Sequence, residues 1–124
     1  YADFDHDGDL DILITVNGGP AELLRNEGGN RNNWISVRLT GRQSNRSGLG
    51  AVVRIESSSG KQWQAVHSGS SYCSQSDLAL TFGLKQERVV SKLSVVWPSG
   101  KVQQVENGPI NRLLNIDEAA GLTK

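Results

Sequence analysis

The chain has 124 residues, enough for one domain with a modest core, and its 13 Lys and Arg residues balance 13 Asp and Glu. That neutrality removes the electrostatic case for nucleic acid or an anionic membrane surface, and no apolar stretch approaches the length needed to insert into a bilayer. One cysteine, Cys73, permits no internal disulfide, and a chain that opens on Tyr1 and holds no methionine is expected to be a fragment or processed product.

The first element is an acidic loop, Asp3-Phe4-Asp5-His6-Asp7-Gly8-Asp9-Leu10-Asp11, with five of the thirteen acids in nine positions. Like charges at every second position repel unless a cation gathers them. Ca²⁺ takes six to eight oxygen ligands, and in the EF-hand the side chains at positions 1, 3 and 5 supply some of them. Glycine follows at position 6 for the turn, and position 7 gives a backbone carbonyl. Counting from Asp3, the scheme assigns side-chain oxygens to Asp3, Asp5 and Asp7, the turn to Gly8 and a carbonyl to Asp9. The closing acid, Asp11, comes early. The run Ile12-Leu13-Ile14-Thr15-Val16 then leads into a strand, so the pattern predicts a calcium loop of the β type. A solvated acidic turn would carry the same charges but has no need of glycine at the sixth place. His6 occupies a non-ligand position and is expected to face solvent.

A second strand is expected over 21–25, followed by the polar, glycine-rich segment 28–33 as a junction to the main domain. Ile35, Val37 and Leu39 then alternate with Trp34, Ser36, Arg38 and Thr40, the pattern of a strand with one buried face. Ala51, Val53 and Ile55 repeat it, and Gly48 and Gly50 allow a tight approach into that strand. Ser58-Ser59-Gly60-Lys61 reads as a turn into a strand over 62–67, and a serine-glycine loop precedes another strand over 78–82. Leu93, Val95 and Trp97 form a further buried face. Trp97-Pro98-Ser99-Gly100-Lys101 is a hairpin turn, with proline presetting φ and glycine taking positive φ. Strands follow over 102–106 and 112–116, and a short helical turn is expected over 117–122. The sum is an all-β fold, an antiparallel β-sandwich or partly closed barrel of about 8–9 short strands.

From about Asn26 onward the chain resembles the ASPIC/UnbV domain. The resemblance is carried by Leu24-Arg25-Asn26-Glu27-Gly28-Gly29, Asn33-Trp34-Ile35, residues 44–51 and 68–75, Phe82-Gly83-Leu84 and Val96-Trp97-Pro98-Ser99-Gly100. Residues 1–25 are similar to the last calcium loop of an FG-GAP or VCBS repeat, a blade of a β-propeller. Together these imply two units, 1–25 and 26–124, and an extracellular or cell-surface setting. They also imply a non-enzymatic role in adhesion or ligand presentation, with upstream propeller repeats of the same chain as a partner.

Other chemistries have weaker warrants. His67, Ser68, Ser70, Ser71 and Asp77 hold the residue types of a hydrolase, yet no Gly-x-Ser-x-Gly elbow is present. No phosphate-binding Gly-x-x-x-x-Gly-Lys pattern occurs. Asn45-Arg46-Ser47 is a formal glycosylation acceptor lying inside the family motif, where coincidence explains it. Cys73 lacks metal-ligand neighbours and is expected to be a small, at least half-buried hydrophobe. Trp34, on the face opposite Ile35 and Val37, and Tyr72 beside polar loops are candidate platforms for a glycan or a surface protein; packing on a propeller is the alternative.

Overall fold

The computed structural model describes residues 1–123, with Asn30 described by its backbone alone. It is all-β, with ten strands and one short 3₁₀ turn at Gly29–Arg31. The strands are β1 (Ile12–Ile14), β2 (Glu22–Leu24), β3 (Asn33–Thr40), β4 (Val52–Ser57), β5 (Gly60–Ala65), β6 (Leu80–Lys85), β7 (Val90–Val96), β8 (Val102–Gly108), β9 (Leu113–Asp117) and β10 (Gly121–Thr123).

Two four-stranded sheets stack as a sandwich, one ordered β10-β9-β3-β6 and the other β5-β4-β7-β8. Alternation explains why they stack: Ile35, Val37 and Leu39 of β3 meet Val53, Ile55, Leu93 and Val95 of the facing sheet in one core, closed by Phe82, Leu84, Ile116 and Trp97. Trp97 satisfies its indole N–H by donating to Gln103 Oε1 at 2.6 Å, which allows so large a ring to be buried. The hairpin turn after it forms as the sequence predicts, with Gly100 at φ +89°. Gly48, at φ +70°, lies where a methyl would come within 2.7 Å of Leu39 Cβ, so the chain enters β4 by a route open to glycine.

The sandwich does not close into a barrel. Glutamine side chains span the gaps between the sheets instead of backbone ladders. Gln62 and Gln64 of β5 donate to the carbonyls of Gly83 and Thr81 on β6, at 2.8 and 2.7 Å. On the opposite side Gln103 of β8 donates to the carbonyls of Asp117 and Glu118.

Two features differ from the sequence expectation. Residues 117–122 form a hairpin into β10 and not a helical turn. Asp117 Oδ1 accepts the N–H groups of Ala119 and Ala120, and Gly121 follows at φ +80°, which together turn the chain back onto β9. The pairing of β3 with β9 is parallel, from Ser36↔Leu113 to Thr40↔Asp117, while every other strand pair is antiparallel. Parallel neighbours need a crossover, and here the whole stretch from β4 to β8 serves as one.

Glu118, at the turn after β9, is 2% exposed yet fully engaged. Its Oε2 accepts the N–H groups of Arg42, Gln43 and Ser44, and its Oε1 accepts the hydroxyls of Ser44 and Ser99. Burial acts to raise its pKa, but these donors outweigh it and hold the carboxyl well below the usual range. One side chain thereby fastens both the segment entering β4 and the turn after Trp97.

Candidate functional site

The acidic loop forms a closed ring whose base is a bridge between Ala2 and Asp11. Its own carboxylates fold it. Asp3 accepts the N–H groups of Asp7 and Gly8 through its two oxygens, each at 3.1 Å, and Gly8 takes φ +100° to make the turn. Asp7 Oδ1 accepts the N–H of Asp9 at 3.1 Å. Asp11 accepts the N–H of Phe4 within the loop and of Asn26 from the junction, both at 2.9 Å. Asp9 Oδ2 accepts the N–H of Gly29 at 2.9 Å, a second tie from loop to junction.

Of the five acids, the fold gathers Asp3, Asp5 and Asp11, with one carboxylate oxygen of each inside 4.8 Å of the others. Asp7 and Asp9 stand outside this trio among the described residues, their carboxylates turned to the loop and junction backbone. Asp11 is 2% exposed, and the N–H groups of Asn26 and then Phe4 hold its carboxyl below the usual range against the opposing effect of burial, with Arg25 adding to the depression. Asp5 pairs with Arg25 Nη2 at 2.6 Å, and the same guanidinium reaches Glu27 through Nε at 3.1 Å. Three hard oxygen donors converging on one point form a donor set suited to a hard divalent cation, whose remaining positions carbonyls or water would fill.

The loop rests on the outer face of β3. A methyl added at Gly8 would lie 2.0 Å from Cε2 and Nε1 of Trp34, so the glycine serves a close approach as well as the turn. Trp34 is on the face the alternation assigns it and is half-buried beneath the loop; its backbone is locked to Asn111, whose Oδ1 accepts the Trp34 N–H and whose own N–H donates to the Trp34 carbonyl. Beside it Arg38 pairs with Asp77 at 3.0 Å, and Asp77 donates its N–H to the Tyr1 carbonyl. His6 is exposed, with a left-handed backbone at φ +61°. Two cavities of about 200 and 250 Å³ flank this contact.

Tyr72 lies elsewhere, 94% exposed in the loop before β6. Its neighbour Cys73 is exposed too, contrary to the expected half-buried hydrophobe, because a tight Ser71–Ser74 bridge with Cys73 at φ +52° turns the side chain out. His67, Ser70 and Asp77 line one cavity, yet among the described residues no hydrogen bond joins them: Asp77 pairs with Arg38, and His67 Nδ1 sits 3.0 Å from the Ala65 carbonyl. Among the described residues no helix is long and apolar enough to cross a membrane. The residue that sequence reasoning missed is Arg25, because arginine is no calcium ligand and its tie to Asp5 spans twenty positions.

Residues 41–123 match the family described as ASPIC and UnbV, which is two thirds of the chain. The chain is 30% identical over 119 residues to cartilage acidic protein 1 of Xenopus tropicalis and equally to that of Homo sapiens, and 29% identical to that of Mus musculus. Each match covers 92% of this chain and 18% of the relative, so the chain spans less than a fifth of the length of the curated relatives it matches. The chain belongs to the ASPIC and UnbV family.

Proposed function

We propose that this chain is a calcium-stabilised, non-catalytic module of a secreted or cell-surface protein, serving adhesion or ligand presentation. The observation that carries the reading is the convergence of Asp3, Asp5 and Asp11 at the base of a loop already tied to the domain. These three side chains would hold Ca²⁺. The ion would supply the positive charge that offsets their repulsion, and so would stiffen the loop against the Asn26 and Gly29 junction and the Trp34 face.

A second observation supports placing residues 1–25 at the end of a propeller-type blade. Every residue of β1 and β2 is exposed, Leu13 at 60% and Leu23 at 43% on one face, Ile12 at 51% and Leu24 at 51% on the other. A two-stranded ribbon apolar on both faces is marginal by itself and suits a place among further strands. Upstream β repeats of the same chain are the partner this fits, and a propeller cap in an extracellular setting is the role that follows.

Thermal melting with calcium or chelator, alongside calorimetry, tests the ion. At free calcium a hundredfold above Kd the melting temperature should rise by about 10 °C, and Asp5→Asn should remove most of that rise. An unchanged melt with no heat of binding overturns the proposal.

A further inference from the structure

We infer that the cleft between the acidic loop and the outer face of β3 and β9 binds a carboxylated sugar unit of an acidic polysaccharide. The inference does not rest on calcium. The larger cavity, about 250 Å³, is bordered by Trp34, His6, Arg38 and Arg112, together with Asp3 and Asp77. Both acids are engaged: Asp77 with Arg38, and Asp3 with the N–H groups of Asp7 and Gly8. Among the described residues, no carboxylate lies within ion-pair reach of Arg112 or His6. Arg112 is therefore a guanidinium on this cavity whose donors no described carboxylate takes up, while Arg38 is held by Asp77. A guanidinium fork accepts a carboxylate through two parallel N–H donors, and a half-buried indole supplies apolar area against the C–H face of a ring.

The neighbouring cavity turns this from a site for any anion into one for a sugar chain. It is about 200 Å³, shares Asp3, Ser36, Asp77 and Ala79 with the first, and sets Gln64, Ser70 and Ser76 beside the apolar Leu10, Leu78 and Leu80. Ser36 and Thr81 on its lining hydrogen-bond each other through their hydroxyls at 3.0 Å, with Ser36 only 4% exposed. Hydroxyls and an amide beside leucines, in a recess next to the one that Arg112 borders, match the hydroxyl edge and C–H face of one sugar ring joined to a ring bearing a carboxylate. An acidic peptide side chain would use the first recess and leave the second empty. Each cavity is smaller than the roughly 300–1,000 Å³ typical of drug-sized ligands, so each takes one ring.

The test is calorimetric titration with hexamers of galacturonate and of mannuronate, in chelator so that divalent bridging of the sugars adds no heat. A neutral galactose hexamer and a poly-glutamate peptide serve as comparisons. Binding of at least one uronate hexamer is expected, with no binding of the neutral one and weaker binding of the peptide. Arg112→Gln, at an exposed guanidinium, should keep the wild-type melt and lose at least about tenfold in affinity, the scale of one charge-assisted hydrogen bond. His6→Gln, a second variant at an exposed side chain, should weaken binding less. No heat with either uronate, affinity unmoved in both variants, or poly-glutamate bound as tightly as the sugars would each overturn the inference.

Discussion

Carboxylates gather hydrogen-bond donors in two regions of this molecule, in opposite proportion. In the amino-terminal loop, Asp3, Asp5 and Asp11 share five donor groups: the N–H groups of Phe4, Asp7, Gly8 and Asn26, and the Arg25 guanidinium. At the other end of the chain Glu118 alone takes five, the N–H groups of Arg42, Gln43 and Ser44 and the hydroxyls of Ser44 and Ser99. These donors hold Glu118 in its charged form without help from an ion. The loop holds three negative charges against one guanidinium and is left with an excess that a divalent cation would balance. The difference teaches that a carboxylate built for structure and one suited to a cation are separated by donor supply, not by burial, since Glu118 and Asp11 are each 2% exposed.

The largest effect should come from removing the self-sufficient centre. Glu118→Ala leaves five donors without their acceptor and frees two segments at once, so the melting temperature should fall by more than about 10 °C, equally with calcium and with chelator. The pH dependence carries the same signature. Asp11, Asp117 and Glu118 all have carboxyls lowered from ordinary values of 3.8, 3.8 and 4.5. Groups depressed in the folded state contribute stability that is fully present above those values and is lost as pH falls through and below them. In the variant, the drop in stability below about pH 4 should be shallower than in the parent chain. A calcium-dependent loss in Glu118→Ala would break the comparison by coupling the two centres.

Next in size is Gly8→Ala. A methyl 2.0 Å from the Trp34 indole cannot be accommodated, and φ +100° disfavours any side chain, so the loop must lift from β3. Overpacking of this kind costs about 1–3 kcal/mol, which corresponds to a fall of several degrees in melting temperature. The rise in melting temperature on adding calcium should shrink with it. A full calcium response in this variant would show that the ion needs only the loop and not its seat on the sheet.

Much of this was legible in the residues. Period-two alternation identifies the buried faces of β3, β4 and β7, and Trp97-Pro98-Ser99-Gly100 identifies its turn, because both are local properties of the chain. The parallel partner of β3 is not legible, since alternation marks a face and says nothing about which strand lies alongside. Residues 117–122 look helical because Ala119 and Ala120 favour helix locally, while the hairpin is imposed by Asp117 and Gly121. Glu118 gives no signal, since its donors come from 19 to 76 positions away. The acid spacing assigns side-chain oxygens to Asp3, Asp5, Asp7 and Asp11, yet it cannot say that Asp7 stands apart, accepting the Asp9 N–H, while the other three gather. Gly8 is read as a turn residue, and its second duty against Trp34 appears only when the loop is docked.

The smallest effect has an informative sign. Among the described residues Arg25 is the one cation already in contact with the trio, 2.6 Å from Asp5. A divalent ion drawing on Asp5 would meet that guanidinium as a like charge and as a rival for the same oxygen. Two opposed consequences follow for Arg25→Gln. Without calcium, the loop loses a positive side-chain partner, and the melt should fall slightly. With calcium, the rival is gone and affinity should rise. Both side chains of the pair are partly solvated, at 49% and 25% exposure, so solvent screens the interaction. Exposed pairs contribute about 0.2–1 kcal/mol, which limits the gain in calcium affinity to about fivefold. Calorimetry at two ionic strengths separates the cases, because a screened competitor should matter less as salt rises. A drop in calcium affinity would mean that Arg25 holds Asp5 in place for the ion, and the loop would then depend on this guanidinium much as Glu118 depends on its donors.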